Sequence, residues 1–395
     1  MCARAIIAGA GIGGLAAAIA LSQAGFEVAV FERTDKLEEF GAGLQITPNA
    51  TRLLARLGVL ERVRELASKP SAVLALRGSD NAELMRLPLD DAERRWGAEY
   101  LIIHRADLQT ALIEAINGHP GINLSLGTAV TGFATDGDAI SVDLRLGSAT
   151  ASAKADLLIG ADGLRSQVRS GLGFGRPDQA DFTGRVAYRA LVNAKDADPR
   201  WARSEIVLRL GPEAHLVQYP LRRGSIINLV ATISASVPAG GAADRQFNAA
   251  GDPSALKRAF AGWSTEARAL IGAPVEWRAW PLYCRPPIRS FSIGRVALVG
   301  DAAHPMVPFL AQGAAQAIED AAALGREVAQ TPDIPTALAA YSRDRVDRAA
   351  RVQREALRQG RIYHLRGAPA LARDLTMQIL GPRRLSERYD WLYGA

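Results

Sequence analysis

The sequence predicts a discontinuous α/β fold, in which one domain is assembled from stretches that lie far apart along the chain. The first stretch, residues 5–21, places an apolar run of strand length before a glycine-rich turn and a helical pattern. Two further segments, residues 156–169 and 294–305, repeat the order of strand and turn. Segments of alternating polarity that suit antiparallel strands lie between them. We therefore expect an antiparallel-sheet domain inserted into the first domain.

The length and composition are those of a globular chain. Its 395 residues are 48% apolar and 22% charged, which is enough for two or three domains and excludes disorder. The longest apolar run, residues 6–20, is interrupted by glycines and is shorter than the roughly 18 to 20 residues that span a bilayer. We recognise no cleaved signal peptide at the N-terminus. The sequence predicts a cytoplasmic protein without a membrane span.

Charge and cysteine content narrow the expected partners. The net charge is +6, but the basic residues are scattered and form no basic stripe interleaved with aromatic residues, as nucleic-acid binding would require. This balance favours an anionic small molecule as the ligand. The chain has 2 Cys, too few for a disulfide framework or a zinc site. We predict no metal site and no nucleic-acid partner. We expect the protein to be a monomer or a homodimer.

The first motif has the spacing of a dinucleotide-binding turn. Gly9 would make the tight turn after the strand, Gly11 would let the backbone approach a pyrophosphate, and Gly14 would let the helix pack on the strand. A second strand ends at Glu32, whose carboxylate would accept hydrogen bonds from an adenosine ribose. The motif predicts a bound dinucleotide and leaves FAD and NAD both open.

Two later motifs favour a flavin. Asp162 and Gly163 form a turn between a strand and a helix. The third motif ends a strand at Gly300-Asp301, and another helix begins at Gly313. An Asp at the carboxyl end of a strand suits a polyol chain, and a helix N-terminus suits a group that becomes anionic. Reduced flavin has both features, a ribityl chain and a negative locus at N1 and the C2 carbonyl.

Together these segments resemble the signature of the group A flavoprotein aromatic hydroxylases, in the branch of the salicylate, 3-hydroxybenzoate and 6-hydroxynicotinate hydroxylases. The resemblance covers nearly the whole chain and includes residues 41–50 and 104–108. It implies a Rossmann-like FAD-binding domain of the glutathione-reductase type, an inserted antiparallel-sheet substrate domain and a C-terminal helical segment. FAD would be the resident cofactor, and NADH or NADPH and O2 would be transient co-substrates.

The resemblance also implies which residues contact the cofactor. Glu32 and Arg33 would hold the adenosine end, and Arg105, positioned by His104, would hold the pyrophosphate side. Asp301 would bind the ribityl chain. The other cofactor contacts implied are Gly9, Gly11, Gly14, Gln45, Asp162, Pro308, Gly313 and Ala314.

The motifs and the alternating segments divide the chain into three expected units. The FAD-binding domain would comprise residues 1–70, 101–179 and 276–334. The substrate domain would comprise residues 71–100 and 180–275, with strands within 205–210 and 225–233 and a loop at 234–253. Residues 335–395 would form a helical region. We expect its last aromatic side chains to be a packing anchor or a dimer contact: Tyr389, Trp391 and Tyr393.

The implied activity is hydroxylation of a small phenolic acid, through reduction of FAD by NAD(P)H and a flavin C4a-hydroperoxide formed with O2. A phenol with a pKa near 10 costs about 4 kcal/mol to ionise at pH 7, so a hydrogen-bonding or basic partner matters. His215 and Tyr219 are four residues apart on an extended run, so they share one face. Relatives of this branch have a His and a Tyr facing the substrate there. We predict that His215 assists phenol deprotonation beside Tyr219; a purely structural strand pair is the alternative.

The remaining candidates have less defined roles. His304 is expected to hydrogen-bond the backbone near Pro305, and His364 belongs to no visible cluster. Arg189 and Arg222 are candidate partners for a substrate carboxylate, since a bidentate Arg suits that group; a surface or interdomain role for either is the alternative.

Two competing functions stay open at this point. The first is an FAD-dependent tailoring oxygenase or epoxidase that acts on a polyene, indole or polyketide and needs no phenolate partner. The second is a non-catalytic flavin-binding redox sensor, against which the full set of cofactor motifs argues.

Overall fold

The computed structural model of the protein describes residues 2–37, 43–236 and 249–394. Gly41 and Ala42 of the segment 41–50, and most of the expected loop at 234–253, lie outside the described residues. Within the described ranges, no helix is both long enough and apolar enough to cross a bilayer.

Strands and helices follow one another along the described parts of the chain. The strands are β1 (Arg4–Ala8), β2 (Glu27–Phe31), β3 (Gly43–Ile46), β4 (Ala72–Arg77), β5 (Glu83–Pro88), β6 (Leu101–His104), β7 (Ile122–Ser125), β8 (Thr128–Asp136), β9 (Ala139–Leu146), β10 (Ala149–Ala155), β11 (Leu157–Gly160), β12 (Asp181–Asn193), β13 (Ile206–Gly211), β14 (Ala214–Leu221), β15 (Ile226–Ser234), β16 (Ala249–Ala250), β17 (Arg278–Cys284), β18 (Ser292–Ile293) and β19 (Val296–Leu298). The helices are α1 (Ile12–Gln23), α2 (Pro48–Arg56), α3 (Leu60–Leu66), α4 (Ala92–Trp96), α5 (Arg105–Asn117), α6 (Gln167–Gly171), α7 (Pro253–Ala259), α8 (Thr265–Gly272), α9 (Gly313–Gln330), α10 (Ile334–Tyr363), α11 (Gly367–Glu387) and α12 (Asp390–Tyr393).

The first sheet is assembled from separated parts of the chain, as the sequence predicts. Its strand order is β18-β19-β11-β1-β2-β7, and all neighbours are parallel except β18 and β19. In its register Ala8 pairs with Gly160, and Gly160 pairs with Leu298. The carboxyl ends of β1, β11 and β19 therefore lie side by side, so the turns that follow them meet at one edge of the sheet.

The second sheet has the order β16-β17-β12-β15-β14-β13-β4-β5 and is antiparallel apart from the pair β13 and β4. The expected strands near 205–210 and 225–233 are present as β13 and β15. β17 also belongs to this sheet, where it pairs with β12. The second sheet therefore continues to Cys284, beyond the expected domain boundary at 275, since the edge strand is gained by tertiary pairing that no local motif signals.

Small residues let α1 lie between the first sheet and α9. α1 is Gly- and Ala-rich and buried along most of its length. A Cβ built on Gly13 would meet the Ala317 Cβ at 3.2 Å, and one on Gly325 would meet Ala20 at 2.8 Å. Because the two backbones approach so closely at these glycines, α1 and α9 cannot slide along each other. The start of α9 is thereby fixed relative to the strand ends.

A buried ionic cluster joins α9 to α10 and to the end of β19. The Asp320 carboxylate accepts hydrogen bonds from the Gly300 N–H at 2.8 Å and from Arg345 Nε at 2.8 Å, and it lies 2.5 Å from His304 Nε2. Arg345 also contacts Glu319, which Arg348 pairs as well. Burial alone would raise the pKa of Asp320, but the charges of His304 and Arg345 and the hydrogen bonds lower it below the ordinary value. The carboxylate is therefore ionised and fully partnered.

We expect Asp320→Asn to destabilise the fold by about 3–5 kcal/mol, because it leaves the buried Arg345 guanidinium without one of its two carboxylates. Urea denaturation of the apoprotein, followed by circular dichroism, measures the loss. The matched control is Asp344→Asn, which breaks a half-exposed pair with Arg326 and should cost about 0–1 kcal/mol. Equal losses in the two variants would contradict the structural role of Asp320.

Candidate active site

The three sequence motifs meet at the carboxyl edge of the first sheet. Gly9 follows β1 with φ of 106°, and a Cβ there would lie 2.5 Å from the Ala161 carbonyl oxygen. The Asp162 segment therefore packs directly against the glycine turn. The Gly300-Asp301 segment follows the neighbouring strand β19. Motifs separated by more than a hundred residues in sequence thus form one site.

The glycines of the first motif have different surroundings. A Cβ on Gly14 would lie 2.0 Å from the Gly9 carbonyl oxygen, so only glycine lets α1 start against the end of β1. A Cβ on Gly11 would meet no protein atom within 4 Å. Gly11 therefore faces open space in front of the N-terminus of α1, where a pyrophosphate group can approach the backbone N–H groups.

The Glu32 carboxylate lies beside this turn. Its Oε2 accepts a hydrogen bond from the Ala10 N–H at 2.9 Å, and its Oε1 accepts one from the Thr34 N–H at 3.0 Å. Arg33 is exposed next to it. The structure therefore places Glu32 at the edge of the glycine turn, with Arg33 exposed as the next residue.

Helix α5 brings Arg105 to the same edge. His104 caps the helix, with its Nδ1 accepting a hydrogen bond from the Ala106 N–H at 3.2 Å, and Gln109 donates to the Ala10 carbonyl at 3.3 Å. The charge of Arg105 acts on Asp301 across the site. Through this cap His104 fixes the first turn of α5, which begins at Arg105.

Asp162 has partners within its own turn. Its carboxylate accepts hydrogen bonds from the Ser166 hydroxyl at 2.5 Å and from the N–H groups of Gln167 and Val168 at 2.7 and 3.2 Å. These contacts satisfy the start of α6. Its predicted contact with the cofactor stays a prediction.

Asp301 is exposed after the end of β19. Burial among the surrounding protein atoms raises its pKa, and the charges of His304 and Arg105 oppose that effect. The buried Arg169 holds the backbone beside it by donating to the carbonyls of Ala302 and Ala303 at 3.2 and 3.0 Å. The segment 156–169 thus supports the backbone that follows Gly300-Asp301.

The contact that His304 makes differs from the expected one. Its Nε2 faces the Asp320 carboxylate rather than the backbone near Pro305, whose carbonyl accepts a hydrogen bond from Gln353 at 2.9 Å. The reason is that α9 places an acidic side chain sixteen positions along the chain within reach of the ring. The expectation of a structural role is consistent with this contact.

A cavity of about 410 Å³ lies between the second sheet and the loop at 305–311. His215, Val217, Leu208 and Ala75 project into it from one face of β14, β13 and β4. The opposite wall contains Gln45 and the loop residues Pro308, Phe309, Leu310 and Ala311. The cavity is thus lined mainly by apolar side chains, with His215 at the sheet face.

The C-terminal aromatic side chains also line this cavity: Tyr363, Tyr389, Trp391 and Tyr393. The Tyr100 hydroxyl donates to Gln45 Oε1 at 2.6 Å, and the Tyr100 ring makes an edge contact with Tyr393 at 6.0 Å. The expected role of the C-terminal aromatics as packing anchors is therefore incomplete, because they also form a wall of the site.

His215 and Tyr219 lie on one face of β14, as their spacing predicts, but their surroundings differ. The His215 ring is buried against Phe309 and Tyr363, each with a centroid distance of 5.4 Å. Tyr219 does not line the cavity, because its ring packs against Gly43, where a Cβ would lie 2.4 Å away. The structure therefore brings His215 to the cavity and leaves Tyr219 at the joint between β14 and β3.

The two arginines suggested for a substrate carboxylate do not line the cavity. Arg222 binds Asp107 in a bidentate pair at 2.7 and 3.0 Å. Arg189 lies over the Trp280 ring at 5.0 Å. Arg388 does line the cavity and forms no ion pair with any described residue. No pattern in the sequence identifies Arg388 as a cavity residue, because the position of the C-terminal segment depends on tertiary packing.

A second cavity, of about 780 Å³, is lined by residues of α1, α2, α9 and α10. It has none of the predicted site residues in its walls, and several of its arginines already pair with Glu319 or Asp344. The strand ends and the smaller cavity are therefore the candidate active site. Among the described residues, no group of three His, Cys, Asp or Glu side chains is placed to hold a metal ion.

Comparison with known proteins decides the family. The model of the FAD binding domain family matches residues 3–356 of the chain. The protein belongs to this FAD-binding family. The predicted α/β fold and the predicted resident cofactor, FAD, are both confirmed.

Several relatives of this FAD-binding protein match over nearly its whole length. It is 36% identical to 3-hydroxybenzoate 6-hydroxylase of Polaromonas naphthalenivorans over 98% of this chain and 95% of the relative. It is 32% identical to 6-hydroxynicotinate 3-monooxygenase of Pseudomonas fluorescens over 89% of each chain. The crystal structure of Klebsiella pneumoniae HpxO with FAD and uric acid matches with a TM-score of 0.87 and 28% identity, over 99% of this chain and 96% of that one. The resemblance to the flavoprotein aromatic hydroxylases is confirmed.

The residues at the strand ends fit FAD. Gly11 leaves room beside the N-terminus of α1, and Glu32 lies at the edge of that space. Asp301 offers an exposed carboxylate at the neighbouring strand end, where it suits a chain of hydroxyl groups. The start of α9, at Gly313 and Ala314, is partly accessible next to the loop at 305–311. This donor set matches the adenosine, pyrophosphate and polyol parts of FAD.

We expect Gly11→Ala to weaken FAD binding at least tenfold without destabilising the apoprotein, because the added methyl group meets no protein atom but enters the space in front of α1. Flavin titration and the melting temperature of the apoprotein measure the two effects. The paired variant Gly14→Ala should lower the melting temperature of the apoprotein, since its methyl group meets the Gly9 carbonyl. Unchanged FAD affinity in Gly11→Ala would remove this glycine from the cofactor site.

We expect Asp301→Ala to raise the FAD dissociation constant by about ten- to a hundredfold, since it removes charge-assisted hydrogen bonds to the ribityl chain worth about 1.5–3 kcal/mol. The matched control is Asp138→Ala, at an exposed ion pair with Arg295. Isothermal titration of the apoproteins measures both constants. Equal FAD affinities in the two variants would contradict the role of Asp301.

Proposed function

We propose that the protein is an FAD-dependent monooxygenase that uses NAD(P)H and O2 to hydroxylate the ring of a small phenolic acid. The observation that carries this proposal is the cavity of about 410 Å³ between the loop at 305–311 and a sheet face that presents His215. The names of the relatives, which include hydroxylases of 3-hydroxybenzoate and 3-amino-4-hydroxybenzoate, support this substrate class.

FAD supplies the redox and oxygen chemistry when it is bound. The protein residues would hold it in place: Gly9, Gly11, Gly14, Glu32 and Arg33 at the adenosine end, Arg105 and Asp162 along the middle, and Asp301, Gln45, Pro308, Gly313 and Ala314 around the ribityl chain and the ring. The apolar walls of the cavity would exclude water from the reacting ring.

His215 would favour the ionised phenol. Burial, together with the charge of Arg185, keeps the pKa of His215 well below its ordinary value. The ring is therefore neutral at pH 7 and can hydrogen-bond to a phenol oxygen. Because a phenolate is a stronger nucleophile than a phenol, this contact would raise the reactivity of the ring.

The substrate carboxylate has a revised candidate partner. Arg388 lines the cavity from the C-terminal segment, whereas Arg222 is already bound to Asp107. We propose that Arg388 faces the carboxylate end of the substrate. Tyr219 would act indirectly, by holding β3 and therefore Gln45 against the second sheet.

The proposed domain division is supported by the sheets. Residues 1–70 and 101–179 contain the strands of the first sheet up to β11, and residues 71–100 contain β4 and β5 of the second. We place the later boundary after Cys284, because β17 belongs to the second sheet. A cytoplasmic location and a monomeric or homodimeric state stay predictions.

The test is oxidation of NADH and NADPH by the FAD-loaded protein across a panel of hydroxybenzoates, salicylate, hydroxynicotinates and indoles. We expect one class of phenolic acid to stimulate oxidation at least tenfold and to yield hydroxylated product rather than peroxide. Liquid chromatography with mass detection scores the product. The coenzyme that is oxidised faster identifies the preferred reductant.

The panel also separates the competing functions. Turnover of an indole or another non-acid, with no response to any acid, would favour a tailoring oxygenase. No stimulation by any ring compound would favour a flavin-binding redox sensor. Either result would overturn the proposed phenolic substrate.

A further inference from the structure

His215 forms a pair with a second histidine that its own strand does not supply. His215 Nδ1 lies 2.7 Å from His364 Nε2, and the two rings stack with centroids 4.9 Å apart. His364 lies 149 positions later in the chain, directly after α10. Both rings are buried. The residue that faces the proposed phenol is therefore itself held by a histidine.

The backbone around His364 is fixed on two sides. Its N–H donates to the Gly360 carbonyl, and its carbonyl accepts from the Glu213 N–H, both at 3.3 Å. A Cβ on Gly360 would lie 2.4 Å from the Phe309 ring, so α10 and the loop at 305–311 are in close contact. His364 is therefore joined both to the hairpin that carries His215 and to the loop beside the cofactor.

The charge state of the pair follows from its surroundings. Burial is the largest effect and lowers the pKa of His364 to about 3, and it lowers the pKa of His215 as well. The charged groups that act on the pair are cations, Arg185 on β12 and Arg373 on α11. The uncharged neighbours are Tyr363, Phe309 and, opposite His215 on β15, Thr232. Both imidazoles are therefore neutral at pH 7.

Two neutral imidazoles share one proton across the short contact, so either ring can be the donor. His364 Nδ1 is buried and has no hydrogen-bond partner among the described residues. If His215 donated, His364 Nδ1 would carry a buried N–H without a partner, which is rarer and more costly than an unused acceptor. His364 is therefore the donor, through Nε2–H. The proton of His215 is then on Nε2, for which no described residue forms a hydrogen bond.

We propose that His364 is a positioning residue that fixes the tautomer of His215, so that His215 presents an Nε2–H donor to the phenol oxygen of the substrate. This inference rests on the proposed function. In this arrangement His215 does not take the proton of the phenol. The phenol ionises with release of its proton to solvent, and the hydrogen bond from His215 favours the phenolate because it binds the charged form more strongly.

The test uses the FAD-loaded holoenzyme with 3-hydroxybenzoate as the probe, in the absence of NAD(P)H. Ultraviolet difference spectra across pH give the midpoint at which the bound phenol becomes phenolate. We expect His364→Leu to raise this midpoint by at least one pH unit, a tenfold loss of ionisation. His364→Gln should stay within about 0.3 unit of the wild type, because its side-chain amide can still donate to His215 Nδ1. His119→Leu, in the turn after α5, is the matched control and should leave the midpoint unchanged.

Steady-state kinetics provide a second readout. We expect His364→Leu to lower kcat at least tenfold with less than a threefold change in KM, and His364→Gln to recover most of the loss. A midpoint and kcat equal to those of the wild type in His364→Leu would overturn the inference. So would equal losses in the Gln and Leu variants, because only the Gln side chain retains a donor.

Nitrogen NMR of the holoenzyme tests the tautomer without a substitution. We expect His215 to carry its proton on Nε2 and His364 to carry its proton on Nε2 as well. A proton on His215 Nδ1 would overturn the inference even if every variant failed to fold. If the wild type bound and hydroxylated no phenolic acid, the proposed function would fail, whereas the NMR result would still report on the pair.

Discussion

The rest of the structure depends on the contacts that the buried Asp320 carboxylate makes. It binds the backbone at Gly300 and the ring of His304, in the segment after β19, and the guanidinium of Arg345 on α10. A carboxylate that is buried this completely is tolerated only when nearly all its hydrogen-bonding capacity is used. The same helix that carries Asp320 begins at Gly313, so the cluster fixes that helix N-terminus relative to the end of β19. The distance between the two predicted contacts for the flavin is thereby set.

Helix α10 extends this constraint to the cavity. Arg345, in its first half, joins the ionic cluster, and the residue after its last turn is His364, which contacts His215. Between them Gly360 admits the Phe309 ring. Because α10 is continuous over thirty residues, a shift at either end would move the other. The loop at 305–311 and the sheet face that carries His215 are therefore positioned by one element.

Sequence predicts well the features that depend on the spacing of residues within one short segment. The glycines of the first motif, Glu32 and Asp301 lie at strand ends that short patterns of apolar residues identify, and the parallel register then brings them together. What sequence did not predict depends on contacts between distant segments. The pairing of β17 with β12, the packing of Tyr219 on Gly43 and the contact between His215 and His364 leave no local pattern. The lone His364 could be interpreted only once the end of α10 was placed on the hairpin.

The electrostatics of the cavity favour recognition of the phenol oxygen of the substrate by hydrogen bonds rather than by a charged base. His215 is neutral there, and burial raises the pKa of Tyr363 and of Tyr100, so those hydroxyls also stay protonated. An anionic ring that enters such a cavity loses hydration, and each neutral donor that reaches it is worth more than it would be in water. The tautomer of His215 then matters more than its basicity, because a lone pair directed at a phenolate oxygen would repel it and an N–H would stabilise it. A histidine pair that fixes this tautomer supplies a donor without adding a charge to the apolar wall.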